Sequence, residues 1–266
     1  VATDEQASIQ YRIEAQDLQG LAFGTSTAKS LTVSFWVKSS VTGTFALNAH
    51  NIDANRIITE TFSIDASNTW EYKAITIVGD ASGSFNNDNG IGLQLTFFLM
   101  AGPDREGTSA DTWRSYLKDA LATGINNNLC TTSGATFQIT GVQLEVGDTA
   151  TPFEHRSYGD ELAKCQRYYI NAGLQNGAVL TKHNTTARGR LYFPVEMRGD
   201  PSLGLENSYG NTVTLYGAST NEAISNSEME ANNINPKGYR LQINSVGLTS
   251  DSMYILYFQY TADAEL

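Results

Sequence analysis

Positive charge is what this chain has least of: 17 Lys and Arg stand against 28 Asp and Glu, a formal net charge of −11. A surface of that sign does not neutralise phosphates, which argues against nucleic acid as a partner and against an anionic membrane surface. Charge of either sign is scarce, at 17% of residues. No apolar run approaches the roughly 20 residues that span a bilayer, and the N-terminus lacks a secretory signal pattern. Membrane insertion is therefore not expected. Val1 in place of an initiator Met is expected of a processed product or of the ordered part of a longer chain. Cysteine is nearly absent too. Cys130 and Cys165 are the two, and two cysteines make no disulfide framework.

Catalytic wording is missing as well. The chain has no G-x-S-x-G, no phosphate-cradling glycine loop and no Cys-x-x-Cys. His50, His155 and His183 are scattered, none at metal-ligand spacing from a second His, Cys or Asp. Glu60, Glu71, Glu145 and Glu154 supply a glycosidase pair only if two of them stand roughly 5–10 Å apart, and 28 acidic residues guarantee chance neighbours. Asn86-Asn87-Asp88-Asn89-Gly90 has part of a calcium-loop pattern without the closing bidentate Glu, so it reads as an Asn-Gly turn. No catalytic residue, metal or cofactor is expected, and the chain reads as non-enzymatic.

What is present favours short strands with polar turns: plentiful Gly, Asn, Ser and Thr, with 13 Tyr and 11 Phe. Ile9, Tyr11 and Ile13 alternate with polar residues as on a half-buried strand. In LTVSFWVKSS, Leu31, Val33, Phe35 and Val37 face inward, and Thr32, Ser34, Trp36 and Lys38 outward. Phe45, Leu47 and Ala49 follow a turn, and further strands are read at residues 57–64, 70–78, 91–100 and 137–145, with Gly141 at a bulge. Residues 101–135 are too long for a hairpin loop. Within them, Trp113, Tyr116, Leu117, Ala120 and Leu121 fall at the spacing of a short surface helix over 110–121. Ser157 with Asp160 forms a capping box, and Tyr158, Leu162, Cys165 and Tyr169 make one apolar stripe on the helix that follows. Beyond it, Leu191, Phe193, Val195 and Met197 read as one face of an edge strand carrying Pro194. Residues 217–238, polar and Asn-rich, read as an exposed loop. The last strand, 253–260, is apolar on both faces, with Ile255 and Tyr257 opposite Tyr254 and Leu256.

The stretch TGVQLEVGDTATPFEHRSYGDELAKCQRYY closely resembles a segment of bacteriophage virion proteins of the tail-fibre type, in which a carbohydrate-binding-module-like jelly roll precedes a C-terminal domain. The resemblance continues upstream through RIEAQDLQGLAFGTSTAKSLTVSFWVKSSVTGTF, TWEYKAITIVGD and NGIGLQLTFFLMAG, and downstream only in LYFPVEMRGDPS and YTADAEL. It implies a fibre on the virion exterior that binds host surface polysaccharide or lipopolysaccharide, joins other virion structural proteins and assembles with itself as a homotrimer. The expected fold is all-β: an antiparallel jelly-roll sandwich over residues 1–152, a linker helix over 153–172 and a small C-terminal β domain over 173–266 that oligomerises and binds receptor. A decoration protein without ligand, or a carbohydrate-binding module of a secreted polysaccharide-degrading enzyme, stands as the alternative.

Sugar recognition needs aromatic faces beside amides and charged groups. Trp36 and Lys38 qualify, if Gln10, Arg12 and Glu14 flank them on a neighbouring strand; against this, residues 101–135 are as well suited to cover Trp36. Trp113 and Tyr116 are a second candidate. Host recognition is expected in the C-terminal domain, where the resemblance is thin and Tyr209, Tyr216 and Tyr239 border the polar 217–238 loop. The oligomer interface is expected at Tyr158, Leu162, Cys165, Tyr169, Ile255 and Tyr257.

Overall fold

The computed structural model describes residues 2–107, 111–127, 129–183, 186–206, 212–217, 221–225, 228–244 and 253–265, through the backbone alone at 174–178, 182–183, 206, 212–217, 221–225 and 257. The chain is mostly β and forms two compact units, Val1–His155 and Arg156–Leu266.

The first unit holds β1 (Gln6–Glu14), β2 (Leu31–Ser39), β3 (Gly43–Asn51), β4 (Arg56–Ile64), β5 (Glu71–Ile77), β6 (Ile91–Ala101), β7 (Arg114–Ser115) and β8 (Phe137–Val146). They pair antiparallel in two sheets, β1-β6-β3-β4-β7 and β5-β2-β8. Alternation along each strand makes this a sandwich. Leu31, Val33, Phe35 and Val37 of β2 meet Phe45 and Leu47 of β3, Phe62 of β4 and Leu93, Leu95 and Phe97 of β6 in one core. Phe35 sits edge-on to both Phe62 and Phe97, each 5.2 Å away between ring centres, and truncating a ring so enclosed costs about 3–5 kcal/mol. The edge strand β1 is more exposed than its alternation suggests: Ile9 and Tyr11 face solvent, and only Ile13 packs on the core.

The long excursion after β6 does not form the surface helix expected over 110–121. Arg114 and Ser115 instead add β7 to the open edge of β4, and Lys118–Ala120 is a single 3₁₀ turn. Extended backbone here satisfies edge groups of β4 that a helix would leave open. Ala120, Leu121 and Ala122 then cover Ala46, Ile57 and Phe98 on the outer face of the larger sheet. Beneath them Asn48 donates to Thr59 Oγ1 at 2.8 Å, and Thr59 Oγ1 donates to the Ala120 carbonyl at 2.9 Å, so these buried polar groups are satisfied.

In the second unit Ser157 caps α1 (Tyr158–Gln166) by accepting from the Asp160 amide at 3.2 Å, as the capping box predicts. The helix ends before Tyr169, which is not on its stripe: it opens β9 (Tyr169–His183), opposite Asp263. Then come β10 (Thr186–Tyr192), β11 (Ser202–Glu206), β12 (Thr212–Gly217), β13 (Asn221–Ser225), β14 (Met229–Asn235), β15 (Gly238–Asn244) and β16 (Met253–Asp263), in one antiparallel sheet of order β13-β12-β16-β9-β10-β15-β14, with β11 also on β16. Two expectations are corrected. The strand with Leu191 stops at Tyr192, and Phe193 and Met197 are buried loop residues whose amides bond the Lys237 and Pro236 carbonyls. The described parts of the 217–238 stretch are not a projecting loop, because β13 and β14 fold back on β12 and β15. The turn into β15 is set by Asn235, whose side chain accepts from the Lys237 amide at 3.0 Å, and by Gly238, where any Cβ would strike the Leu191 carbonyl.

β16 buries Tyr254, Leu256, Phe258 and Tyr260 in the core of this unit. Its other face presents Met253 and Ile255, 67% and 40% exposed, beside Val179 of β9.

At one end of the sandwich, Asp80 is buried and takes the Arg56 Nε–H at 2.6 Å and the Ser82 amide at 3.0 Å, while its carbonyl takes the Gly24 amide at 2.8 Å. Arg56→Met strands a buried carboxylate and is expected to cost about 3 kcal/mol, with the Arg56→Met/Asp80→Asn pair costing less. Urea unfolding followed by tryptophan fluorescence checks this for the first unit alone, since Trp36, Trp70 and Trp113 are all there. An unchanged midpoint in the single variant contradicts it.

Candidate functional site

The outer face of the three-stranded sheet is the place where exposed aromatic and polar side chains gather. β2 is its central strand, so each outward residue of β2 has a neighbour on either side. Trp36 stands between Tyr72 of β5 and Thr140 of β8. Lys38 stands opposite Gln138, and continuing the β2–β5 register by one outward position brings Trp70 to its other side. The Trp36 and Tyr72 rings are 5.5 Å apart, tilted by 55°. Lys38 Nζ lies 5.3 Å from the centre of the Trp70 ring, a cation–π contact.

After β8 the chain returns across this face. Thr151 donates its amide to Glu145 at 3.0 Å, and Glu154 donates its amide to Gln143 Oε1 at 2.8 Å, which fixes Phe153 between them. Gly141 is the hinge of the arrangement. Its φ of +59° makes the predicted bulge, returning Leu144 to the inner face that Phe137 and Ile139 occupy. A Cβ there would stand 3.6 Å from Trp36 Cδ1 and 3.8 Å from Phe153 Cδ2, so space permits a side chain and the backbone disfavours it. Trp36, Trp70, Tyr72 and Phe153 remain 41–45% exposed. Such rings offer flat apolar surface to the C–H face of a sugar, and Gln138 and Thr140 beside them offer hydrogen bonds to hydroxyls.

The companions expected for Trp36 are not there. Gln10, Arg12 and Glu14 lie on β1 in the other sheet, where Arg12 donates to Gln94 and Glu14 is buried. Nor is Trp36 covered by the excursion, which packs on the larger sheet. Trp113 is half-buried against the core: it meets Phe23 edge-on at 5.7 Å, and its indole N–H donates to the Val78 carbonyl at 2.6 Å. Tyr116 stacks on His50, 4.9 Å between centres, where burial holds the imidazole below the ordinary 6.5. Tyr239 is fully buried against Phe193 and Tyr260 and offers no surface to a ligand; burial drives its hydroxyl pKa upward. Tyr209 and the side chains of Tyr216, Tyr257 and His183 lie outside the described residues. The sequence reading missed Trp70, Tyr72 and Phe153. The first two carried a signal in TWEYKAITI, where Trp70 and Tyr72 are out of phase with the inward Ile75 and Ile77.

The carboxylates have separate employments. Glu145 is held by Thr151, and Glu71 by Lys73 at 2.7 Å and the Asp65 and Ala66 amides. Glu60 pairs with Asp111, and its pKa is pushed up to about 7, first by burial and then by the charge and hydrogen bond of Asp111. Among the described residues no cluster of His, Cys, Asp and Glu is arranged to hold a metal. Cys130 and Cys165 are free and exposed.

No family model and no curated protein matches this chain. It is similar, faintly, to discoidin II. Two structures of discoidin II from Dictyostelium discoideum align, the native recombinant protein at 12% identity over 90% of this chain and 74% of that one, with a TM-score of 0.19. The wild-type protein aligns at 11% identity over 98% and 77%, with a TM-score of 0.20. Overlap with discoidin II at that level carries no argument about function.

Two outcomes follow from this geometry. Gly141→Ala must hold a left-handed φ with a Cβ, and is expected to cost about 1–2 kcal/mol, read by urea unfolding. Glu60 is protonated more readily folded than unfolded, so the stability it contributes is complete below its ordinary 4.5 and is lost as pH rises through about 7. Glu60→Gln should flatten that decline and melt higher than wild type above pH 7; parallel melting curves at every pH would contradict the shift.

Proposed function

We propose that this protein is a non-enzymatic bacteriophage fibre subunit, of the tail-fibre type, that sits on the virion exterior and attaches the particle to a host surface glycan. The observation that carries the reading is the exposed Trp36–Tyr72 pair, with Trp70 and Phe153 beside it and Gln138 and Thr140 along one edge. Exposed aromatics in that number on one sheet face mark a contact surface rather than scattered surface apolar residues. The fibre assignment rests on the resemblance of the wording over the sandwich and α1 to virion proteins of the tail-fibre type. Recognition is assigned to the sandwich rather than to the C-terminal unit, because the 217–238 stretch pairs into strands and Tyr239 is core. Assembly with a second copy is assigned to the C-terminal unit and the helix before it. Met253, Ile255 and Val179 form an exposed apolar row, and Tyr158 and Leu162 leave the stripe of α1 uncovered.

Trp36→Ala and Tyr72→Ala are each expected to lower adsorption of the purified protein to host cells at least about tenfold with the melting temperature nearly unchanged. Retained adsorption in both variants overturns the assignment of the site. Sedimentation should find an oligomer for wild type, and Ile255→Asp should shift it towards monomer by placing a charge in an apolar contact. A monomeric wild type would favour a carbohydrate-binding module of a secreted enzyme.

A further inference from the structure

Resting on that reading, we infer that the glycan bound at Trp36 is acidic, with a carboxylate, or another anionic substituent, of the bound residue paired to Lys38. The distribution of charge around the platform is the argument. Along the outer face, the positions of β8 that flank β2 run Glu145 beside Thr32, Gln143 beside Ser34, Thr140 beside Trp36 and Gln138 beside Lys38. The one acidic residue that β8 turns to this face, Glu145, is therefore on the far side of Trp36 from Lys38. Glu145 is four strand positions from Trp36, about 13 Å at the usual rise, and is occupied by Thr151. Glu154 is tied through its amide to Gln143. Glu71, next to Trp70, points to the opposite face and pairs with Lys73 at 2.7 Å, and Asp65 approaches Lys73 at 3.9 Å rather than Lys38.

Lys38 is thus a cation with no ion pair among the described residues, in a chain of net charge −11. It is also held in place. The residue is half-buried and its ammonium lies over Trp70, so it spends less rotamer entropy when a ligand arrives. A neutral sugar leaves that charge unused, whereas an acidic sugar stacked on Trp36 and Tyr72 brings its anionic group to the adjacent outward position, where Lys38 stands. In a chain of net charge −11, an unpaired cation beside the stacking rings favours an anionic chain docking with its charge at Lys38, which fixes one register on the platform.

The test uses the full chain and a panel of uronic-acid and sialic-acid oligosaccharides, each paired with its methyl-esterified form, which removes charge and keeps the ring. Tryptophan fluorescence or calorimetry reads the affinities. At least one acidic glycan should bind about tenfold tighter than its ester. Lys38→Met should bring the acid-to-ester affinity ratio down to about one, whatever it does to the ester itself, Lys38→Arg should retain the ratio, and added salt should lower it. Trp36→Ala should weaken acid and ester together. If no acid outbinds its ester while Trp36→Ala still weakens binding or host-cell adsorption, the acidic-glycan inference is overturned and the glycan-binding reading stands. If adsorption is also indifferent to Trp36→Ala, both are wrong.

Discussion

The backbone ladder on both sides of β2 is the constraint on which the first unit depends. β2 is the middle strand of a sheet that has only β5 and β8 besides it, so every carbonyl and amide it uses in the ladder is committed to one neighbour or the other. Period two then does the rest. The residues that anchor the sandwich, Val33, Phe35 and Val37, are the same residues that oblige Ser34, Trp36 and Lys38 to look outward. The platform is in this sense the reverse side of the core, and any slip of register that exposed Phe35 would bury Trp36.

The left-handed turn of β8 at Gly141 lies where the returning segment meets this face: a Cβ there would stand within 4 Å of both the Trp36 and Phe153 rings, and Glu154 next to Phe153 donates its amide to Gln143. One glycine thereby reconciles two demands on β8: inward apolar residues on both sides of the bulge, and an outward edge of amides and hydroxyls at Gln138, Thr140 and Gln143.

Much of this was legible wherever the governing physics is local. The alternation in LTVSFWVKSS, the Ser157–Asp160 cap and the bulge at Gly141 involve neighbours a few residues apart, and each appears where the wording places it. What was not legible is pairing between distant segments. No local signal says that Trp36 has Tyr72 beside it and not Arg12, since either strand alternates suitably; the register of the sheet decides. Tyr169 fits a helical stripe until Asp263 is known to claim it for a ladder. The helical spacing around Trp113 lost to the open edge of β4. Polarity hid β14, where Met229 alone is buried and Asn residues fill much of the strand.

The order in which strands join has a consequence for how the protein is made. Within the first unit the chain crosses between sheets after β1, β2, β4, β5 and β7, and β3 with β4 is the one sequence-adjacent pair that bonds directly. Gln6 finds Ala101, and Leu31 waits for Val146. A nascent chain leaving the ribosome therefore carries β2, among its most apolar segments, with one of its two partners still unmade until the last strand of the unit has emerged. Closure of such long loops is slow. Until then β2 presents one unpaired edge, the kind of surface that invites pairing with another chain.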